Sequence, residues 1–264
     1  MKLRKKTVGL ALASGGARGG AHVGVLKKLI EEGIKIDEVS GSSIGAVVGA
    51  YYCSGNFRKL LEYIEKYNTK NFIWLLDPKF RGSNGLFQGN RIMNLLRKDL
   101  GDIKFEDLNV KLKIIATDFI TGKAVVFEKG PIVPAIRASI SIPFLFEPFE
   151  YDGKILVDGG VVVPLPLEYL NTDVKIGVSL SYLDPNENIK GRLRIIQRTL
   201  VIMERVINEE KFYNNPEYLI INPKIAAGHP FDFDVLKKGF EVGYEEMSKN
   251  MKLLKKRISN VEKI

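Results

Sequence analysis

The most informative pattern in this chain is Val39-Ser40-Gly41-Ser42-Ser43-Ile44-Gly45-Ala46, a Gly-x-Ser-x-Gly sequence between a short apolar run and a run of small residues. It predicts a nucleophile elbow, in which a strand ends, the chain turns sharply and a helix begins. Glycines on both sides of Ser43 remove the side chains that would collide in that turn. The N-terminus of the helix would favour negative charge developing beside the serine. Because Gly and Ser are common in turns, the rest of the chain has to support this interpretation.

Composition and charge describe an ordinary globular chain with an excess of basic residues. The 264 residues are 45% hydrophobic and 27% charged, and the net charge is +9. This charge permits attraction to an anionic membrane surface or to nucleic acid, and it also fits a solvated lysine-rich surface. We expect transient contact with an anionic membrane and no nucleic acid partner. The sequence leaves the oligomeric state open.

Cysteine and histidine are scarce, which limits the kinds of site that the chain can build. The single cysteine, Cys53, excludes an internal disulfide and lies in an apolar helical run, so we expect it in the core. With two histidines besides, we expect no metal site and no cofactor. The apolar run after the basic N-terminus is too short for a signal peptide, and no segment approaches the ~20 apolar residues of a spanning helix. We therefore expect a cytoplasmic protein, with peripheral contact to the membrane.

Apolar runs and turn signals predict a succession of strands and helices without a domain boundary. Strands are predicted at 7–13, 36–40, 112–120, 123–127, 154–160, 174–181 and 218–222. Helices are predicted at 20–32, after Ser43, and at 56–67, 91–100, 131–139, 189–211 and 234–258. The initial order βαβα is typical of a parallel sheet covered by helices. We expect one α/β domain over residues 1–264.

The search for a catalytic base favours an aspartate. Only His22 and His229 are available as histidines, and neither lies in a convincing motif. Asp158 ends a predicted strand and begins Asp158-Gly159-Gly160. In a parallel sheet the carboxyl ends of the strands share one edge, which would bring this acid towards Ser43. Partial burial there would raise its pKa, although an ordinary Asp-Gly turn is the alternative.

A glycine-rich loop before the first helix is suited to holding negative charge. Consecutive backbone N–H groups in such a loop form an anion-binding concavity, here Gly15, Gly16, Ala17, Arg18 and Gly19. In a serine hydrolase these groups would stabilise the oxyanion. The alternative is a dinucleotide-binding turn with Asp37 or Glu38 on the ribose, although Ser14 stands where that fingerprint has its first glycine.

Residues 68–90 form a connection rich in aromatic and aliphatic side chains and interrupted by Gly and Pro. This composition fits a lid that meets an apolar ligand, and it also fits an ordered loop packed over the core. The residues leave both possibilities open.

Four blocks together resemble the patatin-like phospholipases. They are residues 10–19 continuing through 22–26, the elbow 41–45, the segment 138–143 and the acid block 158–160, all within 7–166 and in the family order. The resemblance implies a three-layer α/β/α sandwich around a mostly parallel central sheet. It also implies that Ser43 is the nucleophile, Asp158 the base, and the loop of Gly15, Gly16, Arg18 and Gly19 the oxyanion region, with no catalytic role for His22. One departure is Ser14-Gly15-Gly16, where many members have three glycines.

The hypothesis is a serine acyl hydrolase that cleaves fatty-acyl esters of lipids, phospholipids or lysophospholipids, through an acyl-enzyme. Two alternatives from other classes remain, a dinucleotide-binding protein and a lipid-binding or regulatory protein without catalysis. The preferred head group, the acyl-chain length and any regulatory partner stay open.

Overall fold

A computed structural model describes residues 5–66, 77, 86–187, 189–226 and 234–259 of the chain. Eight strands in these ranges form one sheet. They are β1 Val8–Leu12, β2 Glu38–Ser42, β3 Lys111–Asp118, β4 Ala124–Phe127, β5 Phe149–Tyr151, β6 Lys154–Asp158, β7 Val174–Val178 and β8 Tyr218–Ile221. The hydrogen-bonded order is β5-β6-β3-β2-β1-β7-β8, and β4 also pairs with β3.

The helices lie between the strands, as the βαβα pattern predicts. They are α1 Gly20–Glu31, α2 Ile44–Cys53, α3 Phe57–Lys66, α4 Asn90–Leu100, α5 Ile132–Ser139, α6 Arg192–Asn208 and α7 Asp234–Ser259. No helix in the described ranges combines the length and the hydropathy that crossing a bilayer requires.

The centre of the sheet is parallel and one side of it is antiparallel. β1 pairs in parallel with β2 and β7, β2 with β3, and β7 with β8. In contrast, β3 pairs antiparallel with β4 and β6, and β5 with β6. The sheet is therefore mixed, and the predicted parallel arrangement holds for its centre.

Strand β1 shows how the two faces of the sheet are covered. Leu10 and Leu12 point into the main core with side chains of α1 and α2, while Ala11 and Ala13 belong to the opposite face. That second face is covered by Leu165, Leu167, Leu170 and Phe212, which come from short turns and from the chain after α6. The alternation along β1 thus confirms an α/β sandwich with the sheet as its middle layer.

Close packing of α7 on α1 completes the main helical layer. A Cβ added to Gly24 would lie 2.1 Å from the carbonyl oxygen of Phe240, and one added to Gly243 would lie 2.3 Å from that of Ala21. Glycine is therefore needed for the two backbones to approach this closely. Met247 and Leu254 of α7 are fully buried, and Cys53 is buried as expected.

Candidate active site

The predicted elbow is present at Ser43. β2 ends at Ser42, α2 begins at Ile44, and Ser43 between them has φ 56° and ψ −124°. A positive φ is rare for a residue with a side chain and costs ~1–3 kcal/mol, so the surroundings must hold it. A Cβ on Gly45 would lie 2.1 Å from the carbonyl oxygen of Leu12, and one on Gly41 would lie 2.5 Å from that of Gly45. Both flanking glycines are therefore required by the turn.

Ser139 at the end of α5 braces this strained turn. The backbone N–H of Ser43 donates to Ser139 Oγ at 2.9 Å, and Ser139 Oγ in turn donates to the carbonyl oxygen of Ile115 at 2.6 Å. Ser139 is fully buried, so both hydrogen bonds are shielded from water. No separate role for Ser139 was predicted from the sequence, because its partners come from other elements.

Asp158 reaches Ser43 by a route that differs from the predicted one. Ser42 at the end of β2 pairs with Ile115 of β3, and Asp158 at the end of β6 pairs with the next residue, Ala116. β2 runs parallel to β3 and β6 runs antiparallel to it, so the two strands approach one place on β3 from opposite directions. The expectation of a shared carboxyl edge of parallel strands was therefore wrong about the direction of β6, although the two residues do meet.

The side chains of Ser43 and Asp158 are in direct contact. Ser43 Oγ donates to Asp158 Oδ2 at 2.5 Å, and the N–H of Gly160 donates to Asp158 Oδ1 at 2.7 Å. Burial raises the pKa of Asp158 to about 7, and the nearby charge of Glu204 also raises it. The two hydrogen bonds oppose this rise. At neutral pH this carboxyl group is therefore close to its midpoint, which suits proton transfer.

The glycine-rich loop lies against the elbow. Gly16 has φ 56°, and Gly16–Gly19 form a 3₁₀ turn that leads directly into α1. A Cβ on Gly19 would lie 2.2 Å from Ile44 Cγ1, which shows how closely the loop packs on the first residue of α2. The predicted loop residues Gly15, Gly16, Ala17, Arg18 and Gly19 line the same cavity as Ser43 and Asp158.

Arg18 of this loop belongs to a buried group of charges that includes Glu204 from α6. Arg18 Nε donates to the carbonyl oxygen of Gly15 at 3.2 Å, and its Nη1 has no hydrogen-bond partner among the described residues. Burial lowers the pKa of Arg18, against the charges of Glu204 and Glu187. Glu204 accepts a hydrogen bond from Ser14 Oγ at 2.6 Å, and burial raises the pKa of Glu204. Sequence reasoning missed Glu204; an acid on the apolar side of a basic helix was the available signal.

Of the two histidines, only His22 is among the described residues, and it packs beneath the glycine-rich loop. His22 is fully buried, and its Nε2 lies 2.8 Å from the carbonyl oxygen of Ala13, to which it donates. Burial lowers the pKa of His22 to about 4, so its ring is neutral at pH 7. His22 is thus a structural residue beneath the loop, in line with the expectation that it has no catalytic role. His229 lies outside the described residues.

The two acids required by the dinucleotide alternative lie at the wrong end of β1. Asp37 accepts a hydrogen bond from the N–H of Val8, the first residue of that strand, at 2.9 Å. Glu38 pairs with Lys113, with 2.9 Å between Nζ and Oε1. The glycine-rich loop follows the other end of β1, about 15 Å away at 3.3 Å per residue. This arrangement places neither Asp37 nor Glu38 beside the loop, where the dinucleotide alternative needs one of them.

An apolar cavity of about 350 Å³ extends from Ser43 and Asp158 along α2. Ile44, Val47, Val48 and Tyr51, one face of α2, line it together with side chains of α3, α4 and α6. Beside this wall lies a polar cluster, because the hydroxyl groups of Tyr51 and Tyr63 both donate to the carboxylate of Asp99. The spacing from Ile44 to Tyr51 corresponds to roughly 10 Å along the helix. The sequence predicted an apolar helix after Ser43 but did not predict the cavity.

Most of the segment 68–90, for which the sequence leaves both a lid and a packed loop open, lies outside the described residues. Its described part includes Phe87, which is buried and packs on Phe146 with 5.8 Å between ring centroids. This contact fits the alternative of a loop packed over the core for that residue.

Comparison with known proteins agrees with the four sequence blocks. Residues 10–171 match the family model described as patatin-like phospholipase. An uncharacterized NTE family protein of Mycobacterium tuberculosis is 40% identical over 177 residues, which cover 66% of this chain and 49% of the relative. The neuropathy target esterase sws of Drosophila melanogaster is 34% identical over 176 residues, which cover 64% of this chain and 12% of that protein.

The fold also has a relative among solved structures. VipD from Legionella pneumophila aligns with 93% of this chain and 67% of its own chain, with a TM-score of 0.51 and 15% identity, so the likeness concerns the fold alone. The chain spans about half the length of the mycobacterial relatives that it matches. Because the family model covers more than half of the residues, this chain belongs to the patatin-like phospholipase family.

Proposed function

We propose that this protein is a serine acyl hydrolase that cleaves fatty-acyl esters of lipids, with phospholipids or lysophospholipids as the substrate class. The hydrogen bond from Ser43 Oγ to the buried carboxyl group of Asp158 carries this proposal. The family model and the esterase name of the Drosophila relative support the ester-hydrolase class.

The proposed reaction has two steps that use Ser43 and Asp158. Ser43 Oγ attacks the acyl carbonyl carbon while its proton passes to Asp158, and the same proton then leaves with the departing alcohol. The acyl group remains on Ser43 as an ester. Water attacks this ester, gives a proton to Asp158 and releases the fatty acid, and the proton returns to Ser43. A carboxyl pKa of about 7 makes Asp158 a far better base than an exposed aspartate.

The glycine-rich loop is proposed to stabilise the negative charge of each tetrahedral intermediate. Gly15 and Gly16 offer backbone N–H groups beside the elbow, and the N-terminus of α2 adds a favourable dipole. The Nη1 group of Arg18, without a partner in the described residues, adds a positive charge that lines the same cavity. Buried donors that are already in place need no reorganisation when charge develops.

The cavity along α2 is proposed to hold the acyl chain. Its wall is mostly apolar, and Ile44, Val47 and Val48 follow directly on the nucleophile. The hydroxyl groups of Tyr51 and Tyr63 with Asp99 would mark a polar end of the cavity. An alkyl chain would not pass this end, because covering polar groups with an alkyl chain, which offers them no hydrogen bond, costs free energy.

Hydrolysis by matched serine variants tests the proposal. The unchanged protein should hydrolyse a series of phospholipids, lysophospholipids and simple esters of graded acyl length, with release of fatty acid as the measurement. Ser43→Ala should lower kcat by about a thousandfold or more, because the proposed acyl-enzyme forms on Ser43 Oγ. Ser248→Ala on α7, far from the cavity, is the control and should retain full activity.

Two results would contradict the proposal. Turnover of Ser43→Ala at the rate of the control would exclude Ser43 as the nucleophile. Lipid binding by the unchanged protein without any release of fatty acid would instead favour the lipid-binding alternative.

A further inference from the structure

Helix α6 is apolar on two opposite faces. Its inner face lines the cavity with Leu193, Ile196 and Leu200. On its outer face Ile195, Ile202 and Val206 are exposed by 54%, 43% and 56%. Positions i, i+7 and i+11 lie on one line along a helix, so these three side chains form a continuous stripe, which we call the outer stripe. Exposed aliphatic side chains that line up on the face opposite the cavity mark this face as a candidate contact surface.

The outer stripe is next to the mouth of the cavity. Met203 stands beside Ile202 on α6, is 53% exposed and also lines the cavity. Phe144 and Val161 are likewise both exposed and part of the cavity wall. The exposed apolar surface therefore continues from the outer stripe to the entrance that leads to Ser43. Large exposed apolar patches of this kind mark surfaces that meet another apolar phase.

The charged residues around the outer stripe indicate which kind of apolar partner it contacts. Residues 190–205 contain a single acidic residue, Glu204, which faces inward to Ser14, and several cations, Lys190, Arg192, Arg194, Arg198 and Arg205. Glu187 binds Arg194 and Arg198 at 3.1 and 2.5 Å, and Glu209 binds Arg205 at 2.6 Å. Lys190 and Arg192 remain exposed at the start of the helix. Aliphatic residues with exposed cations at the start of their helix complement the acyl region and the anionic head groups of a bilayer, and the exposed Glu210 lies beyond the other end of the stripe.

We propose that the outer stripe of α6 docks this protein on an anionic lipid bilayer, with Ile195, Ile202 and Val206 inserted at the level of the head groups. Docking in this orientation brings the cavity mouth to the lipid surface, so an acyl chain can enter without crossing water. The proposal extends the lipid hydrolase proposed above by identifying its contact surface, but the binding itself requires no turnover.

Vesicle co-sedimentation in a Ser43→Ala background tests the docking surface while the vesicles stay intact. The vesicles contain phosphatidylcholine alone or phosphatidylcholine with phosphatidylglycerol. The Ser43→Ala protein should bind the anionic vesicles more tightly than the neutral ones. Adding Ile202→Glu and Val206→Glu should weaken that binding by about tenfold or more, because two apolar contacts are lost and two repulsive charges are gained.

A matched pair of substitutions separates the site from the change in net charge. Ile30→Glu and Leu253→Glu change residues that are 43% and 44% exposed, on α1 and α7, and neither lines the cavity. This control pair should bind within about twofold of the background protein, since only the long-range charge term changes. Ile202→Ser with Val206→Ser is a second test of the stripe that adds no charge, and thermal unfolding verifies the fold of every variant.

Three outcomes would overturn the proposal. The first is equal vesicle binding by the variant with Ile202→Glu and Val206→Glu and by the control pair. The second is a failure of the Ser43→Ala protein to bind anionic vesicles. The third is a dimer that forms in the absence of vesicles and that Ile202→Ser with Val206→Ser dissociates. This result would make the stripe an interface between two copies. None of these outcomes depends on catalysis, so a failure here is distinct from a failure of the hydrolase proposal.

Discussion

Burial changes what Asp158 can do. An aspartate in water has a pKa near 3.9 and is a poor base for a serine hydroxyl at neutral pH. Here the side chain is almost completely hidden from solvent, and its pKa is raised to about 7. The hydrogen bonds from Ser43 and Gly160 limit this rise, because both stabilise the charged form. In the proposed mechanism, this buried carboxyl group takes the place of the histidine that most serine hydrolases use.

The raised pKa of Asp158 predicts how activity depends on pH. Only the deprotonated carboxylate accepts the proton of Ser43, so kcat/KM should be highest above pH 7 and should fall as the pH drops through about 7. At pH 5 it should be about a hundredfold below its plateau, one factor of ten for each pH unit. The measurement is kcat/KM on a soluble short-chain ester from pH 5 to pH 9. A flat profile between pH 5 and pH 8 would indicate a base with an ordinary aspartate pKa.

At this scale the sequence was sufficient to predict that Ser43, Asp158 and the glycine-rich loop lie together, because glycines mark all three turns; their catalytic roles stay a prediction. The sequence was insufficient for Ser139 and Glu204. Both act on residues more than ninety positions away in the chain, Ser139 on Ser43 and Glu204 on Ser14. Nothing in their immediate sequence announces such partners.

The elbow is the element that fixes the geometry of the site, and it depends on the absence of side chains. α2 packs so closely on the end of β1 that Gly45 has no room for a methyl group. Strain at Ser43 is maintained by this packing together with the hydrogen bond to Ser139.

Two glycine substitutions on α2 should therefore have different effects. Gly45→Ala should destabilise the protein by about 3 kcal/mol or more, because the new Cβ would lie 2.1 Å from the rigid carbonyl of Leu12. Gly49→Ala is the matched control. Its Cβ would lie 3.1 Å from Val39 Cγ1, a side chain that can shift, and alanine adds helix propensity of up to ~1 kcal/mol. Urea unfolding measures both, and equal midpoints for the two variants would contradict this account of the elbow.

Most strands and helices were predictable from hydrophobic periodicity, but the direction of β6 was not predicted. The signal was present in Asp152-Gly153 between β5 and β6, where both residues have positive φ, 51° and 70°. Such a two-residue Asp-Gly connection is typical of an antiparallel hairpin. β5 was missed because it is only three residues long and offers little alternation to detect.

At the scale of the whole molecule, the cavity is assembled from parts that are far apart in the sequence. Four helices, α2, α3, α4 and α6, each contribute one apolar face. The glycine-rich loop, Ser43 and Asp158 form another part of the wall. Periodicity cannot distinguish a face that packs on a core from one that borders a cavity, since both are apolar. For this reason the sequence predicted the layers and the meeting of Ser43 with Asp158, but not the space between the helices.

The central claim is that Ser43 is the nucleophile of an acyl hydrolase. Its most direct test is reaction with a fluorophosphonate, followed by intact-mass analysis and peptide mapping, because this reagent forms a covalent bond with an activated serine. We predict one adduct per chain, on the peptide that contains Ser43, and none on the Ser43→Ala protein. Labelling at a different residue, or undiminished labelling of Ser43→Ala, would contradict the claim.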